Sequence, residues 1–165
     1  MKYEASLDNF TKTISFLTIL VIVISLIIVN TVIGDSAPSF LIPLYIILAL
    51  SPILVFLWKP QYYLLIDNRL EIQRPIGKII IPMNDILQFE QLSESVMKKS
   101  VRAFGSGGFF GYFGKFKNNQ LGVMNWYATQ RKNIVLIHLL KNKKILLTPD
   151  DLTGFLNNLA ERMRA

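Results

Sequence analysis

Two long apolar runs divide the first third of the chain from the rest. Residues 14–33 (ISFLTILVIVISLIIVNTVI) and 40–58 (FLIPLYIILALSPILVFLW) contain no charged side chain. An α-helix rises about 1.5 Å per residue, so about 20 residues cover the hydrocarbon core of a bilayer, which is about 30 Å thick. Each run has that length. The pattern predicts two transmembrane helices, preceded by an N-terminal tail at 1–13 and joined by a turn at 34–39.

The distribution of charge predicts the orientation of these helices. So short a turn makes a helical hairpin, which leaves both chain termini on one side of the membrane. Residues 1–59 carry three basic and three acidic side chains, whereas 60–165 carry fifteen basic and eight acidic ones. Positive charge next to a spanning helix favours the cytoplasm. We therefore expect both termini in the cytoplasm and the turn outside.

The hydrophobic period changes after residue 61, where short β-like runs replace the helical ones. Asp67-Asn68 and Lys141-Asn142 each separate two such runs and predict tight hairpin turns. Residues 81–92 (IPMNDILQFEQL) are expected to end one strand and continue as irregular chain. The predicted strands are the two halves of YYLLIDNRLEIQR (62–74), then 78–81, 121–129, 133–139 and 143–148. Several short strands at this spacing are typical of a small barrel or sandwich.

The last segment has the period of an amphipathic helix. Thr148 supplies a capping hydroxyl, Pro149 suits the first helical position, and Asp150 and Asp151 provide acidic side chains for the first turn. One apolar stripe follows at spacings of three and four: Leu152, Phe155, Leu156, Leu159 and Met163. We expect this stripe to cover the open end of the sheet.

About seven strands followed by one amphipathic helix is the order of the pleckstrin-homology-like fold, and the chain resembles the bacterial PH-like domain membrane proteins. The segments that carry the resemblance are KIIIPMNDI (78–86), RAFGSGGFFGYFGKF (102–116), YAT (127–129) and LLTPDDLTGFLNNL (146–159). The resemblance implies a membrane-anchored α+β protein of the bacterial cytoplasmic membrane. Its two-helix transmembrane hairpin would precede a PH-like small β-barrel or sandwich at 62–165 with a C-terminal capping helix.

The resemblance also implies a binding scaffold for lipid headgroups, peptides or proteins rather than an enzyme. The residues agree, because the chain has no cysteine and His138 is its only histidine. A phosphate-binding P-loop needs Ser or Thr after its lysine, but Phe116 follows Lys115. We therefore assign no catalytic, cofactor or metal site.

The most distinctive segment is FGSGGFFGYFGKF (104–116). Gly108, Gly111 and Gly114 recur at every third position with aromatic residues between them, which fits bulged or turning chain rather than helix. Such a segment cannot turn all its rings inward, and some are expected at the membrane surface or against another chain. The candidate binding residues are Arg102, Phe109, Phe110, Tyr112, Phe113, Lys115 and Lys117.

A long interval without acids limits the class of partner. Between Glu94 and Asp150 there are ten basic residues and no carboxylate: Lys98, Lys99, Arg102, Lys115, Lys117, Arg131, Lys132, Lys141, Lys143 and Lys144. A membrane tether at Trp58 favours the anionic leaflet over nucleic acid as the nearest polyanion. Two functions remain open. The domain recognises a protein partner, a second copy of itself or the anionic membrane surface, or it regulates an oligomeric transport or channel-like complex.

Overall fold

The computed structural model describes residues 1–33 and 42–164. The expected external turn at 34–39 lies outside the described residues, as do the first two residues of the second apolar run. In chain order the elements are β1 (Lys2–Glu4), α1 (Asn9–Ile33), α2 (Ile42–Trp58), β2 (Tyr62–Ile66), β3 (Arg69–Gln73), β4 (Lys78–Pro82), β5 (Ile86–Leu92), α3 (Ser95–Lys98), β6 (Ser100–Gly107), β7 (Tyr112–Asn118), β8 (Gly122–Ala128), β9 (Ile134–Leu139), β10 (Lys143–Leu147) and α4 (Leu152–Arg164).

Both apolar runs are helical over their described residues. The stretch Asn9–Thr31 of α1 is long and apolar enough to cross a membrane, and few of its side chains are buried. The described part of α2 is a shorter apolar helix of 17 residues that contains Pro52. Exposed Leu, Ile, Val and Phe side chains cover both helices.

The N-terminal segment is not a free tail, because part of it belongs to a sheet. Strand β1 pairs antiparallel with β2, with Tyr3 opposite Tyr63, and α1 already begins at Asn9. The chain therefore enters α1 from the domain and returns to the domain directly after α2. The start of α1 and the end of α2 are held at the same place.

Two sheets enclose the main core. The first has the order β1-β2-β3-β4, and the second has the order β5-β9-β10-β8-β7-β6. All described neighbours are antiparallel except β8 and β10, which run parallel. Apolar residues of both sheets and of α4 meet between them: Tyr3, Tyr63, Leu65, Leu70, Ile72, Ile81, Val135, Ile137, Ile145, Leu147, Phe155 and Leu159. The expected small sandwich with a covering helix is therefore what forms.

Both predicted hairpin turns are confirmed. Asp67 has φ 46° between β2 and β3, and Lys141 and Asn142 have φ 59° and 55° between β9 and β10. Asn and Asp tolerate this left-handed region better than most residues, and consecutive positive φ angles match the twist of hairpin strands. The turn chemistry is thus visible in the sequence.

Helix α4 packs as its stripe predicts, but a different residue caps it. Phe155 and Leu159 are fully buried. The helix begins at Leu152, and the Asp151 carboxylate accepts a hydrogen bond from the Gly154 amide at 2.9 Å. The Thr148 hydroxyl instead accepts one from the Thr129 amide at 2.9 Å. The expected Thr148 cap is therefore wrong, because the Thr148 hydroxyl bonds to Thr129, directly after β8, and not to an amide of α4.

The second sheet also carries a core on its other face. Leu146 points away from the main core because Ile145 and Leu147 on either side of it point inward. On this second face Phe116 and Trp126 stack with ring centroids 3.9 Å apart. In residues 81–92 the expected strand end is present as the end of β4. The rest, expected to be irregular, forms a short 3₁₀ turn followed by the seven-residue strand β5.

Candidate functional site

The glycine–aromatic segment forms a long β-hairpin. Strands β6 and β7 pair antiparallel along their length, and we call residues 100–118 the glycine–aromatic hairpin. Its turn is closed by the Gly108 amide, which donates to the Gly111 carbonyl at 2.9 Å. The Ser106 hydroxyl adds a contact of 3.0 Å to the same carbonyl. A strand pair was not predicted here, because glycine at every third position hides the alternation of a strand.

Two glycines of the hairpin stand opposite each other and explain the unusual composition. Gly105 pairs with Gly114 across the strands, with φ +107° and +117°. A Cβ on Gly105 would lie 2.1 Å from the Phe113 carbonyl oxygen, and one on Gly114 would lie 2.3 Å from the Phe104 carbonyl oxygen. Only glycine permits both this backbone conformation and this approach.

The tip of the hairpin contacts both apolar helices. The Phe110 amide donates to the hydroxyl of Ser15 in α1 at 2.8 Å, and Ser15 is buried. The Phe110 ring meets the ring of Phe56 in α2 edge to face, with centroids 5.4 Å apart. A side chain on Gly108 would touch Phe10 of α1. The hairpin therefore fastens the β-domain to the helix ends that adjoin it.

Near the hairpin tip, a basic side chain lies over an aromatic ring of each helix. Lys59, directly after α2, lies 4.6 Å from the centre of the Phe56 ring, and partial burial lowers the pKa of Lys59. The Arg131 guanidinium lies 3.8 Å from the centre of the Phe10 ring in α1. Cation–π contacts of this kind contribute about 0.5–2 kcal/mol. They place positive charge where the helices meet the domain.

The aromatic residues predicted to be presented outward are instead mostly covered. Tyr112 and Phe113 are buried, at 4% and 8% exposure, and Phe109 and Phe110 are half-buried against each other and the helices. The exposed aromatic residue is Phe104, at 73%, which was not singled out. A bulge after Arg102 puts Phe104 opposite Lys115 and so turns its ring to the other side of the strand.

The three predicted basic residues separate into two groups. Lys115 and Lys117 are exposed on the face of β7 where Lys117 stands between Val101 and Val123. Arg102 lies on the outer strand β6 and borders an apolar cleft of about 520 Å³. The cleft lies between α2 and the hairpin, and its lining residues include Leu54, Val55, Trp58, Phe104, Phe109 and Phe113.

Among the described residues, no group of three His, Asp or Glu side chains could hold a metal ion. His138 forms a cross-strand contact with Glu90, with 3.0 Å between Nε2 and Oε1. This pair lies on β9 and β5, outside the glycine–aromatic hairpin. The hairpin itself offers an outer strand, an apolar cleft and basic side chains.

One family matches the chain in a comparison with known proteins. The sequence model of the family described as bacterial PH domain matches residues 61–163. The matched segment includes every strand from β2 to β10 and nearly all of α4, and it leaves out β1, α1 and α2. No curated protein and no solved structure matches the chain.

Proposed function

The chain belongs to the bacterial PH domain family, and we propose that it is a non-catalytic binding module anchored in the bacterial cytoplasmic membrane by a two-helix hairpin. Domains of this type generally bind rather than catalyse. In this proposal the β-domain stays against the cytoplasmic leaflet and presents strand β6 to a protein partner at the membrane.

The start of α1 and the end of α2 adjoin the same sheet, which supports the hairpin topology. Because β1 pairs with β2, the chain leaves and re-enters the same sheet on either side of the helix pair. If both helices span, the segment between them must lie across the membrane from the domain. The excess of basic residues after Trp58 favours a cytoplasmic domain.

The topology can be tested by thiol labelling, because the chain has no cysteine of its own. Ser36→Cys should react with an impermeant maleimide added to intact cells, whereas Lys141→Cys should react only after the cells are opened. A reporter should be fused at the C-terminus, since the Met1 amino group donates to the Leu65 carbonyl at 2.6 Å. Protection of Ser36→Cys in intact cells together with labelling of Lys141→Cys would contradict the topology.

The exposed edge of β6 is the observation that carries the partner proposal. This strand has eight residues and is the outer strand of its sheet in the described part of the chain. An outer strand leaves a row of backbone amides and carbonyls free to pair with another chain. Val101 and Phe104 are each 73% exposed beside that edge, and Lys115 and Lys117 lie on the adjoining strand. The surface therefore suits an extended segment with apolar and acidic side chains.

Photo-crosslinking tests this proposal. A photoreactive phenylalanine at position 104 should capture a protein in native membranes, and the same group at Leu140, which is exposed on the β9–β10 turn, should not. A product of twice the mass would identify the partner as a second copy. Lipid adducts alone, or equal products from both positions, would contradict a protein partner at β6.

A further inference from the structure

A second cavity lies on the opposite face of the six-stranded sheet from the main core. It has a volume of about 500 Å³ and is bordered by α3, β6, β7, β8 and the loop after β8. Three of its lining residues are basic, namely Lys98, Arg102 and Arg131, and none is acidic. We call it the basic cavity. It is distinct from the outer face of β7 that carries Lys115 and Lys117.

The basic residues of this cavity have no acidic partner in the described part of the chain. The ion pairs among the described residues lie elsewhere: Lys2 with Glu4, Arg69 and Lys78 with Glu71, and His138 with Glu90. One carboxylate contacts a lining residue: that of Asp8 lies 3.4 Å from the Tyr112 hydroxyl and also accepts from the Thr11 amide at 2.7 Å. Three cations around one cavity repel each other, and an anion between them removes that cost.

The cavity also contains a buried donor without a partner. Trp126 is 1% exposed and lines the cavity. Its indole N–H has no hydrogen-bond partner among the described residues. Buried indole N–H groups normally find an acceptor, and leaving one unpaired is unfavourable. An acceptor such as a phosphate oxygen, entering the cavity with a small shift of its lining, would satisfy this donor.

The burial of the aromatic rings that line the cavity favours a compact anion over a nucleotide. Tyr112, Phe116 and Trp126 line it, but each is at most 4% exposed. Phe116 and Trp126 also cover each other's faces. A nucleobase therefore has no free ring on which to stack. Arginine and lysine donors instead suit the oxygens of a phosphate group.

The cavity adjoins the start of α1. Arg131, on its rim, lies over the ring of Phe10, in the first turn of the helix that is long enough to span a membrane. We propose that the basic cavity binds a phosphate-bearing group, through Lys98, Arg102, Arg131 and the Trp126 indole N–H. The phosphate comes either from the headgroup of an anionic lipid or from a soluble phosphate ester. The proposal does not rest on the protein partner proposed for β6, although Arg102 belongs to that strand.

The fluorescence of Trp126 gives a direct test in the full chain. The chain has two tryptophans, so Trp58→Phe leaves Trp126 as the single reporter. This protein is placed in nanodiscs of phosphatidylcholine and titrated with glycerol 3-phosphate. A second series replaces part of the phosphatidylcholine by phosphatidylglycerol. Saturation by glycerol 3-phosphate would identify a soluble source, and saturation by phosphatidylglycerol alone would identify a lipid headgroup.

Variants separate a defined site from general attraction. Arg102→Gln and Lys98→Gln should each weaken the response at least about tenfold, because each removes a charge-assisted hydrogen bond. Lys115→Gln and Lys117→Gln remove the same charge outside the cavity and should leave it within about twofold. Arg131→Gln should behave like Arg102→Gln. If the Arg131→Gln variant fails to fold, the variants of the two exposed residues Arg102 and Lys98 decide whether the cavity is the binding site.

The Trp126→Phe variant, which lacks the unpaired donor, provides the second measurement. Trp126→Phe should lose most of the rise in melting temperature that the effective probe, glycerol 3-phosphate or phosphatidylglycerol, gives the parent. The rise is measured against each variant's own melting temperature without the probe, because removing part of a buried, stacked ring lowers that baseline as well. No saturable response in either lipid, an equal loss in the Lys117→Gln control, or an undiminished thermal shift in Trp126→Phe would overturn the proposal.

Discussion

Gly114→Ala tests whether the glycine–aromatic hairpin depends on close contact between two glycines. The new Cβ would lie 2.3 Å from the Phe104 carbonyl oxygen and 2.8 Å from the Gly105 Cα. Both atoms belong to backbone, so neither can rotate away. The residue would also have to keep φ +117°. Either the strands separate or the substituted residue adopts another conformation, and both outcomes break the pairing of β6 with β7.

The magnitude follows from two separate costs. Holding a residue with a Cβ in a sparsely populated backbone region costs about 1–3 kcal/mol, and forcing extra volume into a packed site costs about 1–3 kcal/mol more. The free energy of unfolding should therefore fall by about 2–6 kcal/mol. For a protein of this size 1 kcal/mol corresponds to about 2–4 °C. The melting temperature should drop by about 4–24 °C.

Gly122→Ala is the matched control. Gly122 has φ +75°, and no atom lies within 4 Å of a Cβ placed there. Only the backbone cost of about 1–2 kcal/mol applies. Near-ultraviolet circular dichroism of the full chain in detergent, followed during heating, measures both variants. If the two variants melt at the same temperature, the cross-strand glycine contact does not hold the hairpin and the reasoning is refuted.

Three further substitutions test the domain itself. Phe155→Ala should lower the free energy of unfolding by about 3–5 kcal/mol, measured by thermal melting, because the ring is fully buried; a neutral result would contradict the covering role of α4. Tyr63→Phe should cost about 1–3 kcal/mol in the same assay, because the hydroxyl donates to one buried carbonyl and accepts from one buried amide; an unchanged melting temperature would contradict those bonds. Lys78→Gln should lower the melting temperature more at pH 7 than at pH 3. The hydrogen bond from Lys78 lowers the pKa of Glu71 below its ordinary value of 4.5, so this stabilisation is present above that pH and is lost as the pH falls through the folded-state pKa. An equal loss at both pH values would show that the ion pair is not the cause.

The sequence predicts those elements whose signal is local. The turns at Asp67-Asn68 and Lys141-Asn142 depend on the conformational freedom of their own residues, and the α4 stripe depends on a period within thirteen residues. Strand β1 has no such signal. It has three residues, and its partner β2 lies about sixty positions away with both apolar helices between them.

The candidate site was only partly predictable for the same reason. The sequence identifies the glycine–aromatic segment, but the direction of its rings depends on the bulge after Arg102 and on the contacts with Ser15 and Phe56. The basic cavity unites Lys98, Arg131 and Trp126 from different parts of the chain. An unpaired indole N–H has no sequence signature, because it is defined by what surrounds it in space.

The contacts of Phe110 with Ser15 and Phe56 hold the glycine–aromatic hairpin against α1 and α2. A chain without cysteine allows a direct measurement: Phe56→Cys with Phe110→Cys in native membranes, treated with a short bifunctional maleimide. The two rings lie 5.4 Å apart, so an intramolecular crosslink should form in most molecules. The control pair Phe56→Cys with Lys141→Cys should not react, because the β9–β10 turn lies at the far end of strands whose other end meets α1, roughly 15–20 Å away. Efficient crosslinking of the first pair alone is the predicted result, and no crosslink in that pair, or equal crosslinking in both, would contradict the account.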